Sequence, residues 1–286
     1  MNFARPAGLI PAGPLSFELK FGRASLFACA GVLAALNAQA SQIIGALQYQ
    51  SAMTAVVNLA GISAVIWFAM YAALRIGFEA QDQRAWGSDG VVLSAVLLLS
   101  FLPISYAAKA ALLVCAVYLL IRSEKGSGTR RVAYVLLALT GPLIWGRILL
   151  LSLASPLLSL DAHVVGGLIG SSVDGNTVQF AGTAKRFLVG TGCSSVHNMS
   201  LAVVLWTTAA ALFDIRVDRR YLLCGGVMVA LMFALNIARL ALIGLYPDSF
   251  KFLHDGAGAD LFSWTGLIAV ASVAAWGVTG AVQRQR

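Results

Sequence analysis

The segment Gly190 to Leu201, GTGCSSVHNMSL, combines a thiol, serines and an imidazole where a polar loop gives way to an apolar run. Cys193 lies just before that run, so we expect it in the first turn of a helix or in the loop that enters the helix. Backbone N–H groups at a helix N-terminus favour a nearby anion and therefore the thiolate form of a cysteine. The alternative is an inert buried cysteine, which the polar neighbours Ser194 and Ser195 disfavour.

A second polar position interrupts the apolar stretch MFALNIARLALIGLY. Placing an arginine in a membrane interior costs roughly 3 kcal/mol or more, so Arg239 should face a partner or a water-filled cavity. Asn236 lies three residues earlier and therefore on the same helical face. Tyr246 ends the run about 10 Å further along the helix. Arg239 could thus also extend its head group to the outer lipid head groups, and both interpretations can hold.

The third position is His254, in the loop YPDSFKFLHDGAGADLFSW, where a single histidine is usually a solvated residue. Its significance comes from topology, because Cys193, Arg239 and His254 lie on three segments that we expect to meet at the outer membrane face. A thiol, a base that titrates near neutral pH and a fixed cation are the groups that cysteine acyl transfer needs. The imidazole would accept the thiol proton, and the guanidinium would hold the substrate carbonyl or stabilise an oxyanion.

Two other residues compete for roles at this site. His197 follows Cys193 by four residues and could be its base if both lie on one helical face. We favour His254 because a base on another segment can approach the thiol from the substrate side. Arg147, in GPLIWGRILLL, lies in the outer half of its apolar run. It could form a second cationic wall of the same cavity or pair with a buried acceptor, and the sequence leaves both open.

The elements that must position these side chains are membrane-spanning helices. The chain has 286 residues, of which 59% are hydrophobic and 11% are charged, and its mean hydropathy is +0.83. Soluble domains carry about 25% charged residues. Apolar runs of about 20 residues recur along the chain. We therefore predict an all-α polytopic membrane protein, with residues 1–286 forming a single integral membrane domain.

We predict eight transmembrane helices with both termini in the cytoplasm. The third and fourth predicted spans are short and flank Lys109, so one broken helix is the alternative. Basic residues favour eight spans: 14 of the 20 then lie inside and four outside, whereas the broken-helix topology divides them 9 to 8. The predicted spans are Ser25–Ala46, Ala55–Leu74, Val91–Ala107, Ala110–Ile121, Val132–Ala154, Asn198–Phe213, Tyr221–Tyr246 and Leu261–Val282.

This topology places residues 155–197 and 247–260 outside. In the first of these segments, Asp174-Gly175-Asn176 between β-forming residues predicts a small hairpin turn. The N-terminal residues 1–23 have no continuous hydrophobic core followed by a cleavage-like site. We therefore expect a short irregular or interfacial segment there, and no secretory signal.

The charge and the cysteines argue against two classes of function. The net charge is +8, but the basic residues form short clusters between apolar runs, which orient a membrane protein and offer no basic face to a nucleic acid. The four cysteines form no CxxC motif and have no ligand spacing with the histidines. We expect no metal site, no disulfide framework and no cofactor. Cys29, Cys115 and Cys224 lie within apolar runs and are expected to pack as small hydrophobic residues.

At these positions the chain resembles the exosortase/archaeosortase family of prokaryotic multispanning cysteine transpeptidases. The resemblance covers approximately residues 130–265. It rests on GCSS at 192–195, on NIAR at 236–239, and on a histidine followed by two glycines before the last span. It implies that Cys193, Arg239 and His254 are the catalytic residues. The polar residues expected to bind substrate or support the site are His197, Asn236, Arg147 and Ser194.

The resemblance also implies a substrate class and a location. Such enzymes cut a C-terminal sorting signal, made of a short motif, a transmembrane helix and a basic tail, through a thioester on the cysteine. The acyl group then passes to an amine or another acceptor. The partners would be membrane-anchored exported proteins and the lipid bilayer, at the plasma (inner) membrane of a prokaryote, with the active site facing the periplasm or exterior.

This chain departs from the family pattern at two positions. The family commonly has Cys-Ser-Gly, with an arginine four residues after the cysteine, whereas this chain has Ser195 and His197. The nucleophile is retained, and the subfamily, recognition motif and acceptor stay open.

Two other classes of function are consistent with such a chain. A transporter or channel for an anionic solute could use Arg147 and Arg239 to line its pathway, although we find neither an inverted repeat nor a matched pair of broken helices. A non-catalytic membrane assembly factor could bind a partner through the outer loops. External labelling with a thiol reagent separates these hypotheses, because only the enzyme requires an accessible and unusually reactive Cys193.

Overall fold

Helices dominate the computed structural model, which describes residues 22–49, 53, 59–80 and 86–285, and about 81% of these residues are helical. The described α-helices are α1 (Arg23–Asn37), α2 (Ala40–Tyr49), α3 (Ala64–Glu79), α4 (Asp89–Phe101), α5 (Ser105–Arg122), α6 (Gly128–Thr140), α7 (Gly146–Ile169), α8 (Ser195–Leu212), α9 (Arg219–Leu245), α10 (Phe250–Asp255) and α11 (Ala257–Gln285). A π-helical turn, Gly141–Trp145, joins α6 to α7.

In the part of the chain that the structure describes, five helical segments are long and apolar enough to cross a membrane: Ser105–Arg122, Gly128–Ile169, Ser195–Leu212, Arg219–Leu245 and Ala257–Gln285. The pair α1 and α2, bent by 53°, adds a sixth if it forms one span, and α4 is apolar but shorter. These helices confirm an all-α protein of the multi-spanning membrane class. The count of eight spans and the cytoplasmic termini stay predictions. The predicted N-terminal segment and the first residues of the span Ala55–Leu74 lie outside the described residues.

The two short spans predicted around Lys109 are separate helices that form a hairpin. Tyr118, near the end of α5, donates a hydrogen bond of 2.7 Å to Asp89 at the start of α4, so the two helices run antiparallel. The turn between them contains Pro103, which has no N–H to continue a helix. Lys109, predicted between the spans, instead lies within α5, where it is buried beside the ring of Tyr106.

The helical run from 128 to 169 is much longer than the predicted span Val132–Ala154. Its 42 residues would extend about 63 Å if straight, twice the hydrocarbon core of a bilayer. The run bends at Leu153 (φ −125°, ψ 26°), because the ring of Pro156 clashes with the preceding turn. The helix therefore does not end with the predicted span at Ala154: Pro156 bends it, and apolar residues continue it to Ile169. The outer location of residues 155–197 stays a prediction.

A three-stranded antiparallel sheet follows α7, with the order β1 (Val173–Asp174), β2 (Thr177–Gln179) and β3 (Arg186–Leu188). Asp174 pairs with Thr177, and Gly175 in the two-residue turn has φ +59°, which a glycine adopts without strain. This confirms the predicted hairpin, whereas the third strand was not predicted. The N–H of Ala181 donates to the carbonyl of Gly244 at 2.9 Å, which joins the sheet to the end of α9.

Among the described residues, three hydrophobic clusters hold these elements together, and the smallest packs the end of α8 against α9 and α11. The largest joins α1, α3, α5, α6 and α8 through residues such as Phe27, Leu112 and Leu136, none of which is exposed. The second joins the end of α7, the sheet, α9 and α10, and it includes Cys193. The polar site described below is therefore built into the second cluster.

The opposite end of the helix bundle is basic. Arg131, at the start of α6, donates to the carbonyl of Ala211 near the end of α8 at 3.2 Å. Arg284, at the end of α11, pairs with Asp218 just before α9 at 3.1 Å. The chain direction in α8, α9 and α11 places this end away from the sheet and from Cys193.

Candidate active site

Cys193 ends a 3₁₀ turn, Thr191–Cys193, immediately before α8. The turn is closed by a hydrogen bond of 3.0 Å from the N–H of Cys193 to the carbonyl of Gly190. Ser194 caps α8, because its Oγ accepts from the N–H of Val196 at 3.3 Å. Cys193 thus lies at the helix entrance, as predicted, and Ser194 supports the site by fixing the start of the helix.

The thiol of Cys193 faces the imidazole of His254. Its Sγ is 3.2 Å from Nε2 of that histidine, although the two residues are 61 positions apart in the chain. Cys193 is 8% exposed, and the His254 side chain keeps 33% of its surface accessible. A base within hydrogen-bond reach of a thiol is the arrangement that activates a cysteine nucleophile.

An aromatic neighbour orients the imidazole of His254. The ring of Phe250, one turn earlier in α10, stacks on it with centroids 5.0 Å apart and planes inclined by 11°. Phe250 in turn contacts Phe180 edge-on, with ring centroids 6.4 Å apart. Phe180 directly follows β2, so the sheet region packs against the aromatic ring that stacks on the histidine. Asp255 places Oδ1 2.8 Å from Nδ1 of the imidazole, but the two atoms are not aligned for a hydrogen bond. Asp255 therefore acts as a neighbouring charge.

Asn236 and Arg239 lie on one face of α9, as their spacing predicted. Nδ2 of Asn236 donates to the carbonyl of Cys193 at 2.8 Å, and its Oδ1 accepts from Nη2 of Arg239 at 3.4 Å. Asn236 is only 3% exposed and links the guanidinium to the cysteine turn. The buried Nε of Arg239 has no hydrogen-bond partner among the described residues. Arg239 also lines the cavity described next, so a bound substrate can approach its guanidinium from there.

A cavity of about 480 Å³ opens beside this pair, between α8, α9, α11 and the segment 59–65. The polar lining residues belong to the turns of α8, α9 and α11 near the sheet end, and apolar residues line the next turns inward. The polar part is lined by His197, Asn198, Asn236, Arg239, Asp260 and Ser263, and the apolar part includes Leu201, Met232, Leu267 and Val270. The cavity thus leads from the guanidinium into the apolar part of the bundle.

The structure separates the two histidine candidates, and it places Arg147 outside the lining of the cavity. His197 lines the cavity, whereas His254 contacts the thiol. Arg147 is exposed on α7 and lies near Lys109, and it is not among the residues that line the cavity. Among the described residues, Arg147 and Arg239 therefore do not share a pathway of the kind that the transporter hypothesis needs.

Asp161 on α7 belongs to the surroundings of the site, although the sequence did not single it out. Its Oδ1 accepts from the hydroxyl of Ser195 at 2.8 Å, and its Oδ2 accepts from the N–H of the same residue at 3.1 Å. The sequence feature that could have identified Asp161 is a lone carboxylate within an apolar helical run. It went unnoticed because the span was predicted to end at Ala154, which left Asp161 in an outer loop.

Comparison with known proteins gives one match. The family model described as transmembrane exosortase matches residues 49–271, a range that contains Cys193, Asn236, Arg239 and His254. No curated protein and no solved structure matches the chain.

Proposed function

Because this chain belongs to the transmembrane exosortase family, we propose that it is a membrane cysteine transpeptidase with Cys193 as nucleophile, His254 as base and Arg239 as the carbonyl-binding cation. The family match confirms the resemblance found in the sequence. The observation that carries the assignment of residues is the distance of 3.2 Å between Sγ of Cys193 and Nε2 of His254.

The reaction requires two acyl transfers, and one imidazole can serve both. His254 takes the proton from Cys193 while the sulfur attacks the carbonyl carbon of the scissile amide. The C–N bond then breaks, and the imidazolium gives its proton to the departing amine, which leaves a thioester on Cys193. In the second step the imidazole accepts a proton from the incoming nucleophile. That nucleophile takes the acyl group, the C–S bond of the thioester breaks, and the imidazolium returns its proton to the departing thiolate, which regenerates the thiol.

Arg239 is suited to stabilise the charge that develops on the carbonyl oxygen. Arg239 lines the cavity, and its guanidinium is held by Asn236 before any substrate arrives. A fixed donor in a water-poor site stabilises an oxyanion better than water does, because it needs no reorganisation during the reaction. The side-chain amide of Asn236 donates a hydrogen bond to the carbonyl of Cys193. The role of Asn236 is therefore to hold the turn that carries the cysteine.

The cavity supports a substrate with a polar segment followed by an apolar one. A C-terminal sorting signal has this order, with a short motif, a transmembrane helix and a basic tail. We infer that the motif binds near Arg239 and His197 and that the helix begins along the apolar lining formed by Met232 and Leu267. The substrates would be membrane-anchored exported proteins.

The charge distribution supports an active site on the periplasmic or exterior side. Arg131 and Arg284 lie at the end of the bundle opposite Cys193, together with the basic residues at 216–220. Basic residues are retained on the cytoplasmic side of bacterial membrane proteins. The plasma (inner) membrane of a prokaryote is therefore the location that we propose.

Replacement of the nucleophile tests this proposal. A membrane protein that ends in a short motif, an apolar helix and an arginine cluster, taken from the same genome, is co-expressed and followed by its change in length. We expect Cys193→Ala and Cys193→Ser each to reduce processing by at least about 10³-fold, because no thioester can form. The matched control is Cys224→Ala, which removes a buried thiol on α9 and should leave processing intact. Processing by Cys193→Ala at the wild-type rate would refute the assignment.

A further inference from the structure

A buried contact between α7 and α8 has no part in the chemical steps above. Both carboxylate oxygens of Asp161 accept hydrogen bonds from Ser195, at 2.8 Å from the hydroxyl and at 3.1 Å from the backbone N–H. Asp161 is 2% exposed and Ser195 is 3% exposed. Removing a carboxylate from water is costly unless hydrogen bonds compensate it. A contact of this kind holds two elements in one relative position.

The position of Ser195 connects this contact to the thiol. Ser195 is the first residue of α8 and follows Cys193 by two residues, with the cap residue Ser194 between them. On the other side, Asn236 of α9 donates to the carbonyl of Cys193 at 2.8 Å. The cysteine turn is therefore held from α7 through Ser195 and from α9 through Cys193 itself.

We propose that Asp161 is a positioning residue that sets the thiol of Cys193 against the imidazole of His254 by binding both polar groups of Ser195. The proposal rests on the proposed function in one respect, since it takes Cys193 as the nucleophile. Hydrogen bonds to a carboxylate are roughly twice as strong as neutral ones. The thiol–imidazole contact of 3.2 Å tolerates little movement of the turn that carries the sulfur.

The hydroxyl that completes this contact is a feature of this chain. Ser195 stands where the family pattern has glycine, which could offer Asp161 its N–H but has no hydroxyl. The bend of α7 at Leu153 comes two turns before Asp161. We infer that Asp161 and Ser195 together position the turn that carries Cys193.

Substitutions at both positions test the pair in a processing assay. Asp161→Ala removes both acceptors, and we expect kcat to fall about 100-fold, since a displacement of about 1 Å can have that effect, while KM changes less than about threefold. Asp161→Asn can still accept from the N–H and donate to the hydroxyl, so it should stay within about tenfold of wild type. Ser195→Ala should lose about tenfold, and in that background Asp161→Ala should cost less than it does alone, because the two residues share one contact.

A second measurement needs no substrate and follows the thiol directly. The alkylation rate of Cys193 by iodoacetamide is measured in purified protein that lacks Cys29, Cys115 and Cys224. We expect about a tenfold lower rate for Asp161→Ala and a smaller loss for Asp161→Asn, because a thiol moved away from its base is less often ionised. The control is His163→Ala, an exposed position on α7, which should alkylate at the wild-type rate.

The outcomes separate this proposal from the proposed function. Wild-type kcat and alkylation rate in Asp161→Ala would overturn the positioning role, and so would equal losses in the alanine and asparagine variants. If Asp161→Ala does not fold, Asp161→Asn and Ser195→Ala decide by the same criteria. Processing by Cys193→Ala would refute the function, yet altered alkylation in the Asp161 variants would still support the positioning role.

Discussion

At the scale of single residues, the site depends on a contact between a thiol and an imidazole from distant parts of the chain. His254 reaches Cys193 because Phe250 stacks on its ring and because the short helix α10 turns back over the end of α9. His197 lies nearer in sequence but lines the cavity beside Asn236. The two histidines therefore have different expected roles, one at the reacting sulfur and one along the substrate path.

Alanine substitutions distinguish the two histidines. We expect His254→Ala to reduce processing by about 10³-fold, because the thiol loses its base, whereas His197→Ala should cost less than about tenfold and act mainly on KM. Processing rates at several substrate concentrations measure both effects. Equal losses of kcat in the two variants would show that our choice of base is wrong.

At the scale of elements, close helix contacts position the side chains of α9. Gly277 of α11 faces Cys224 of α9, and a side chain at that glycine would overlap with the sulfur. Near the other end of α9, a Cβ added to Gly244 would come within 2.6 Å of Ile169. Small residues at these points let α9 approach α11 and α7, which in turn fixes Asn236 and Arg239 against the cysteine turn.

Gly277→Leu tests this packing. The larger side chain must separate α9 from α11, and overpacking of this kind typically costs 1–3 kcal/mol, so we expect a lower melting temperature for the detergent-solubilised protein and slower processing. The matched control is Gly226→Leu, because nothing lies within 4 Å of the Cβ position of that glycine. If both variants have the melting temperature of the wild type, the contact between α9 and α11 does not limit the stability of the protein.

At the scale of the whole molecule, the bundle has a basic end and an end that carries the site. Arg131 and Arg284 join helix termini at the basic end, and the sheet, Cys193 and His254 lie at the other. Such a distribution orients a membrane protein with the basic end in the cytoplasm. A substrate that crosses the membrane would then meet the thiol on the outer side.

Cysteine labelling tests this orientation. In a background without native cysteines, Asp174→Cys in the hairpin and Lys125→Cys between α5 and α6 both place a thiol at an exposed position. We expect an impermeant maleimide to label Asp174→Cys in intact spheroplasts and to label Lys125→Cys only after permeabilisation. Labelling of Lys125→Cys from outside would contradict the proposed topology.

Local patterns in the sequence were sufficient for much of this description. Helical periodicity placed Asn236 and Arg239 on one face, and the turn residues around Gly175 predicted the hairpin. The uneven distribution of basic residues favoured two short helices separated at Lys109, and the structure shows two helices that form a hairpin, with the turn at Pro103 instead. Each of these features depends on residues a few positions apart, so the sequence contains the information directly.

The boundaries and partners depended on tertiary contacts. The fifth predicted span ended at Ala154, but α7 continues past Pro156, where it packs against α9 and the sheet, and Asp161 thereby reaches Ser195. The identity of the partner of Cys193 was open between His197 and His254, because helical spacing allowed the first and only the folded chain brings the second within 3.2 Å. The sequence by itself determined the membrane class, the family and the candidate residues, since these follow from composition and local motifs. The tertiary structure decided which of those residues meet, because contacts between segments that are distant in the chain depend on how the helices pack.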